Sequence, residues 1–270
     1  MALSLTVLGC SSATPTSTRY PSAFLLCSSL LREYILIDCG EGTQIRLRKN
    51  SIRMQQIGHI FISHLHGDHF FGLFGFIFSQ NLLGRKTPLH IYAHQPLEKL
   101  IKTTLAIEKT QLQYPLIFHP IKGKYPTLLD LPTLQVNAFP LKHSIRTHGF
   151  LFQEKLLPAQ EQENNTQALQ AQSFAYCSDT KYMPSVAKHI QNVDMLYHET
   201  TFLKELTQAA QDKFHSTTLD AAKIAVKAHA KKLLIGHYSA RYSDISPFLE
   251  EIRPIFPEVL AAKEDFKVFI

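Results

Sequence analysis

Residues 64–69 read His64-Leu65-His66-Gly67-Asp68-His69, and no other stretch constrains the fold of this chain so tightly. The apolar run at 60–63 predicts a buried strand before them, and residues 70–78 predict a packed helix after them. Four potential ligands therefore sit on a strand-to-helix turn, where Gly67 lets the backbone bend tightly. In the extended part His64 and His66 point the same way, because side chains alternate along a strand. Past the bend, Asp68 and His69 are adjacent and reach a second centre. That arrangement suits two divalent ions, which hydrolytic sites hold roughly 3.5–4 Å apart. A surface turn that happens to contain three histidines is the weaker explanation, since clustered ligands rarely serve packing.

A binuclear site needs ligands from elsewhere in the chain. His143 follows the alternating apolar stretch 134–141, Asp179 follows the strand-like 174–177, and His237 follows the apolar 233–236. Each stands where a strand runs out, the usual address of site residues in layered α/β proteins. They complete two histidine/carboxylate shells bridged by one aspartate. Imidazole-rich shells fit zinc best, with manganese or magnesium able to occupy the more oxygen-rich centre. Two such ions lower the pKa of a shared water toward neutrality and offset charge that builds on a phosphate. Asp68 can also accept the proton of the attacking water.

Breaking a phosphodiester further requires a proton for the alkoxide that leaves. The runs His198-Glu199-Thr200 and His215-Ser216-Thr217 offer it, because a glutamate bonded to a histidine raises its basicity and fixes its tautomer. Spacing alone fits equally well a structural role in which Thr200, Ser216 and Thr217 cap helices. Asp38 is either a partner that orients a ligating imidazole or a turn aspartate. Arg46, Arg48, Lys49 and Arg53 either meet a phosphate backbone or form a solvated helix face, and the solvated face is preferred. Histidines 59, 90, 94, 119, 148, 189 and 229 match no motif and are read as surface or packing residues.

At 270 residues, with no linker-like segment, the chain reads as one domain over 1–270. Predicted strands cover 3–8, 23–27, 34–37, 89–92, 116–121, 134–141, 174–177, 193–197, 233–235 and 266–270. Predicted helices follow 42 and cover 97–109, 184–190, 217–230 and 245–252, with one more starting at Thr201. A β-rich opening followed by alternating helices and strands argues for two sheets with helices outside rather than one parallel sheet. Residues 154–172 are polar and aperiodic, and read as a flexible loop. No apolar run is long enough for a membrane span, and the start of the chain enters a strand without a basic leader. Cysteines 10, 27, 39 and 177 lack paired spacing, which points to a reduced, cytoplasmic location. A net charge of +6 mildly favours an anionic partner such as nucleic acid.

Taken together these motifs resemble the ribonuclease Z (tRNase Z) family of the metallo-β-lactamase superfamily. The resemblance rests on Asp38-Cys39-Gly40-Glu41-Gly42-Thr43-Gln44, the 64–69 motif, Pro140-Leu141-Lys142-His143-Ser144, Ser178-Asp179-Thr180, His198-Glu199-Thr200-Thr201, His215-Ser216-Thr217 and Gly236-His237, in that order. It implies an αβ/βα four-layer sandwich holding two zinc ions, a homodimer, and removal of 3′ trailers from precursor tRNA. By position, His64, His66 and His143 would hold one ion, Asp68, His69 and His237 the other, and Asp179 both. Asp68 would accept a proton, and Glu199 with His215 would serve the leaving group. The chain departs from the family between His143 and Asp179. A long tRNA-binding arm with a Gly-Pro element is usual there, and this chain has only the acidic, glutamine-rich 154–172. The alternative function is hydrolysis of another phosphodiester or a sulfate ester; a catalytically silent RNA-binding relative would not need seven ligands.

Overall fold

The computed structural model describes residues 3–155 and 171–270. Its first half supplies β1 (Leu3–Gly9), β2 (Ala23–Ser28), β3 (Tyr34–Ile37), α1 (Thr43–Lys49), β4 (Ile57–Phe61), α2 (Gly67–Leu82), β5 (Leu89–Ala93), α3 (Pro96–Ile107) and β6 (Leu116–Pro120). The rest supplies β7 (Thr127–Asp130), β8 (Leu134–Leu141), β9 (Thr147–Glu154), β10 (Ser173–Cys177), β11 (Met195–Glu199), α4 (Thr207–Asp212), α5 (Thr218–Lys227), β12 (Lys232–Gly236), α6 (Ser246–Ile252), β13 (Val259–Ala261) and β14 (Lys267–Phe269). Two seven-stranded mixed sheets result, ordered β14-β1-β2-β3-β4-β5-β6 and β13-β12-β11-β10-β9-β8-β7. This is the metallo-β-lactamase sandwich.

Alternation along the strands explains the layers. In the first sheet Phe24, Leu26, Ile35, Ile37, Phe61 and Tyr92 face the second sheet and join the larger core. Their neighbours Leu25, Leu36, Ile60 and Ile91 face the other way and pack under α1–α3 with Leu73, Phe76 and Leu97. Strands β3 to β6 run parallel, with α2 and α3 as crossovers, so their C-terminal ends open on one edge. In the second sheet β10, β11 and β12 are likewise parallel and lead to Asp179, Glu199 and His237. Among the described residues no helix is long and apolar enough to cross a membrane.

Several local expectations need correction. Strand β4 ends at Phe61, so residues 62–66 are an irregular segment rather than strand. Gly67 opens α2 with ordinary helical backbone rather than a tight bend; a Cβ there would lie 2.2 Å from the exposed Phe71 ring, which would have to turn aside. No helix starts at Thr201. The Thr201 N–H and Oγ1 both donate to the Glu199 carboxylate, and α4 begins only at Thr207. Helix α5 is capped by Thr217 in a box with Asp220, while the Ser216 hydroxyl donates to the Thr180 carbonyl. Strands β7, β9 and β13 are additional to those the sequence predicts. Most of the segment 154–172 lies outside the described residues; at its edges Glu154 ends β9 and its N–H donates to the Gln172 carbonyl.

Candidate metal centre

The motif 64–69 and three strand ends of the second sheet meet across the opening between the sheets. Nε2 of His64 stands 3.2 Å from Nδ1 of His66, and Nε2 of His143 stands 3.0 Å from that same atom. Asp179 Oδ2 lies 3.6 Å from the His64 Nε2 and 3.7 Å from the His143 Nε2. On its other side Asp179 Oδ1 lies 3.5 Å from His69 Nε2 and 3.3 Å from His237 Nε2. Asp68 Oδ2 closes this second group, 3.6 Å from His69 Nε2 and 3.5 Å from His237 Nε2. The residues therefore form two donor groups, His64/His66/His143/Asp179 and Asp68/His69/His237, with one oxygen of Asp179 facing each. A third grouping of Asp179, His215 and His237 overlaps the second.

Three buried atoms in this array, His69 Nε2, Asp179 Oδ1 and His237 Nε2, have no hydrogen-bond partner among the described residues. Orphaned buried groups of this kind are costly unless an ion satisfies them. Ligand atoms around a tetrahedral zinc with bonds of about 2.0–2.1 Å stand about 3.3 Å apart, which matches the spacing found. Burial alone would lower the His69 pKa, yet Asp179, Asp68 and Asp38 raise it well above the ordinary value. Three carboxylates around one imidazole call for positive charge, and a divalent cation supplies it. The chain thus carries a His/Asp metal site suited to two ions.

Behind the donors a set of hydrogen bonds fixes four of the five rings, those of His64, His69, His143 and His237. Asp38, at φ +54°, accepts from His69 Nδ1 at 2.7 Å, from Ser63 N–H and Oγ, and from the Tyr176 hydroxyl of the opposite sheet. The Ser63 hydroxyl faces His64 Nδ1 at 3.0 Å, and His143 Nδ1 donates to the Phe214 carbonyl at 2.8 Å. His237 Nδ1 meets Thr201 Oγ1 at 2.9 Å. Each of these contacts leaves the other ring nitrogen for the centre. Buried Glu199 accepts from His215 Nδ1 at 3.0 Å and from the backbone N–H of Thr180, Thr201 and Ser216. Burial would depress the His215 imidazole, but Glu199 and then Asp179 lift it to about 9. Burial would raise the Asp68 carboxyl, but His69 and His237 hold it at about 2. Around these groups lies a cleft of about 510 Å³, bordered also by Ser12, Thr14, Glu41 and Lys213.

Comparison with known proteins places this arrangement. The ribonuclease Z of Phocaeicola vulgatus is 37% identical over 299 aligned positions, covering 98% of this chain and 96% of that protein. The ribonuclease Z of Cytophaga hutchinsonii is 39% identical, covering 100% and 97%. This chain belongs to the ribonuclease Z family. The family model described as anti-Pycsar protein Apyc1 also matches it, over residues 3–251. Among solved structures the short form of human tRNase Z (ELAC1) superposes with a TM-score of 0.81 at 28% identity, covering 99% of each chain. YhfI of Bacillus subtilis does so at 0.80 and 21% identity, a likeness of fold alone. The protein is accordingly a metal-dependent hydrolase. Its alignment with the Phocaeicola protein runs over 299 positions although the chain has 270 residues, so that relative carries stretches with no counterpart here.

In this ribonuclease Z relative all nine candidate site residues converge. His198 does not: it is buried and its Nδ1 donates to the Glu199 carbonyl. Arg46 is no part of an exposed basic face, being buried and paired with Asp265 beside Asn50. The unassigned histidines do serve packing in part: His59, His90, His119 and Tyr92 form a stacked row, and His189 packs on Tyr125. Contacts the sequence did not announce include the Ala13 N–H, which donates to Asp68 Oδ2 at 2.9 Å, and the roles of Thr201, Tyr176 and the Phe214 carbonyl. Only the last leaves a trace in sequence, since Phe214 directly precedes His215.

Proposed function

We propose that this protein is a two-zinc phosphodiesterase acting on RNA, most specifically an endoribonuclease that removes the 3′ trailer from precursor tRNA. The observation that carries the reading is the Glu199–His215 contact of 3.0 Å beside the donor groups, because an alkoxide leaving from a phosphodiester needs a proton donor. The near full-length likeness to proteins called ribonuclease Z supports RNA as the substrate class. His64, His66 and His143 would hold one ion, Asp68, His69 and His237 the other, with Asp179 between them. When bound, the ions would supply Lewis acidity and a lowered pKa for water. Asp68, its carboxylate ionised and anchored by the Ala13 N–H, receives the proton of the attacking water. His215 gives a proton to the leaving oxygen, while Glu199 fixes its ring through Nδ1. Lys213 at the cleft is the cation best placed to meet substrate phosphates. A homodimer accompanies this reading, and sedimentation equilibrium tests it.

A second reading, hydrolysis of a smaller phosphodiester, is favoured by the Apyc1 family match and by the absence of an arm-like sequence between His143 and Asp179. Incubating the zinc-loaded protein with a 3′-extended precursor tRNA and with bis(p-nitrophenyl) phosphate separates the two. Cleavage of both, with the tRNA cut at one site, supports the first. Turnover of the small ester with an intact tRNA favours the second.

A further inference from the structure

Beside the cleft, and sharing no lining residue with it, lies a second pocket of about 420 Å³. Its walls are apolar: Leu65, Pro96, Ile121 and Ile145. Leu65 sits between His64 and His66, and Ile145 follows His143 by two residues, so the pocket hangs on both halves of the donor array. Ile145 is left 38% exposed, an uncovered apolar surface next to a polar reaction centre. His94 also lines it, and its ring packs against His148 with centroids 5.0 Å apart. Burial holds both imidazoles down to about 4, so the planar His94 side chain meets the pocket uncharged at physiological pH.

The charge around this pocket is one-sided. Lys122 and Arg146 border it and, among the described residues, no acidic side chain lines it; Glu98 stands behind Gln95, while α3 points its N-terminal end there with Pro96 in the first turn. The pocket therefore suits a flat, weakly polar group that arrives attached to negative charge. Its volume lies in the range of small-molecule sites, and exposed Gln95 at the mouth donates its NH2 to Glu98 Oε2 at 2.9 Å and, among the described residues, keeps its amide oxygen free. A nucleotide is such a group.

We propose that this pocket receives the base of a nucleotide joined to the scissile phosphate, and so sets which phosphodiesters bind tightly. The inference rests on the phosphodiesterase reading above, but it does not require tRNA. The measurement is calorimetric binding of 5′-AMP and 3′-AMP to the metal-loaded protein, each against the matching ribose phosphate without a base. At least one nucleotide should bind about ten-fold more tightly than its ribose phosphate, the usual worth of one stacked base. Ile145→Trp fills the pocket and should bring that ratio to about two or below; Ile145→Ala should weaken the nucleotide about three-fold and leave ribose phosphate unchanged. Ile145 is a surface residue, and an unchanged melting temperature and metal content verify each variant. Equal binding of nucleotide and ribose phosphate by the unaltered protein overturns the proposal. So does a preference that survives Ile145→Trp. If the preference holds while precursor tRNA stays intact, the pocket stands and the tRNA reading falls; the reverse result removes the pocket alone.

Discussion

Replacing Asp38 by asparagine isolates what its charge does for the site. Asparagine keeps the shape and tolerates the left-handed backbone at φ +54°. Asp38 Oδ1 accepts from the Ser63 N–H at 2.8 Å, while Oδ2 accepts from Ser63 Oγ, His69 Nδ1 and Tyr176 Oη at 2.9, 2.7 and 2.7 Å. An amide has one acceptor atom. With its oxygen in the Oδ2 position, its NH2 faces the Ser63 N–H, and two buried donors in contact cost about 1–3 kcal/mol. With its oxygen in the Oδ1 position, its NH2 meets His69 Nδ1. That ring must then carry its proton on Nε2, the atom aimed at Asp68 and Asp179. Metal affinity should fall about 10–100-fold, or about 1.4–2.8 kcal/mol. Urea unfolding of the metal-free variant measures the first cost, and competition with a chromophoric chelator measures the second. A folded Asp38→Asn protein whose metal affinity stays within about two-fold of the original would show that Asp38 does not orient His69.

Four further outcomes are expected. His215→Ala should slow RNA cleavage by about 10²–10⁴ but spare a p-nitrophenyl ester, whose leaving group needs no acid; Glu199→Ala and the double variant should cost no more than either change alone, and additive losses refute the pair. Arg46→Ala should destabilise the metal-free protein by about 2 kcal/mol, read by urea unfolding, and leave the RNA Michaelis constant unchanged, because Arg46 is buried against Asp265. Lys213→Ala should raise that Michaelis constant and reduce the salt slope of RNA binding by about one, while an unchanged slope removes Lys213 from the phosphate contacts. Burial, with help from His90 and His119, pushes the His59 imidazole down to about 4; Glu33, 3.6 Å away, is too exposed to reverse it. The unfolded chain then binds the extra proton between pH 6.5 and 4, so stability is full above 6.5 and lost as pH falls, by about 3 kcal/mol from this residue. His59→Phe should flatten urea stability between pH 7 and 5, and an equally steep acid loss in that variant refutes the account.

What the sequence showed of the site was its chemistry-bearing residues, because ligands gather at a turn and at strand ends, where local apolar runs announce them. Residues 64–69, His143, Asp179 and His237 each follow such a run. What it hid were partners distant along the chain. Arg46 looks like one charge in a basic helix until Asp265, 219 positions on, lies against it. Tyr176 reads as a core aromatic, and only the facing of the sheets brings its hydroxyl to Asp38, 138 positions away. Strand β7 is hard to read because it is only four residues long, with its side chains partly or fully exposed. Strand β9 escaped because Gly149 breaks its pattern. A side chain at 149 would collide with the Phe139 ring 2.4 Å away, so the glycine serves packing rather than a turn. The segment after Glu199 misled because its threonines serve a carboxylate instead of a helix.

The donor array draws four residues from the turn after β4 in the first sheet and the rest from strand ends of the second. Neither sheet alone carries either complete group, since His143, Asp179 and His237 belong to one side and His64, His66, Asp68 and His69 to the other. Ions held there would act as rivets between two halves of the molecule, and their binding free energy would add to the energy of folding. At a free metal concentration about a thousand times the dissociation constant, each rivet is worth about 4 kcal/mol. Metal supply would then set not only how fast the protein works but how long a molecule survives a protease, and withdrawing the metal would loosen the seam between the sheets before it unravelled either one.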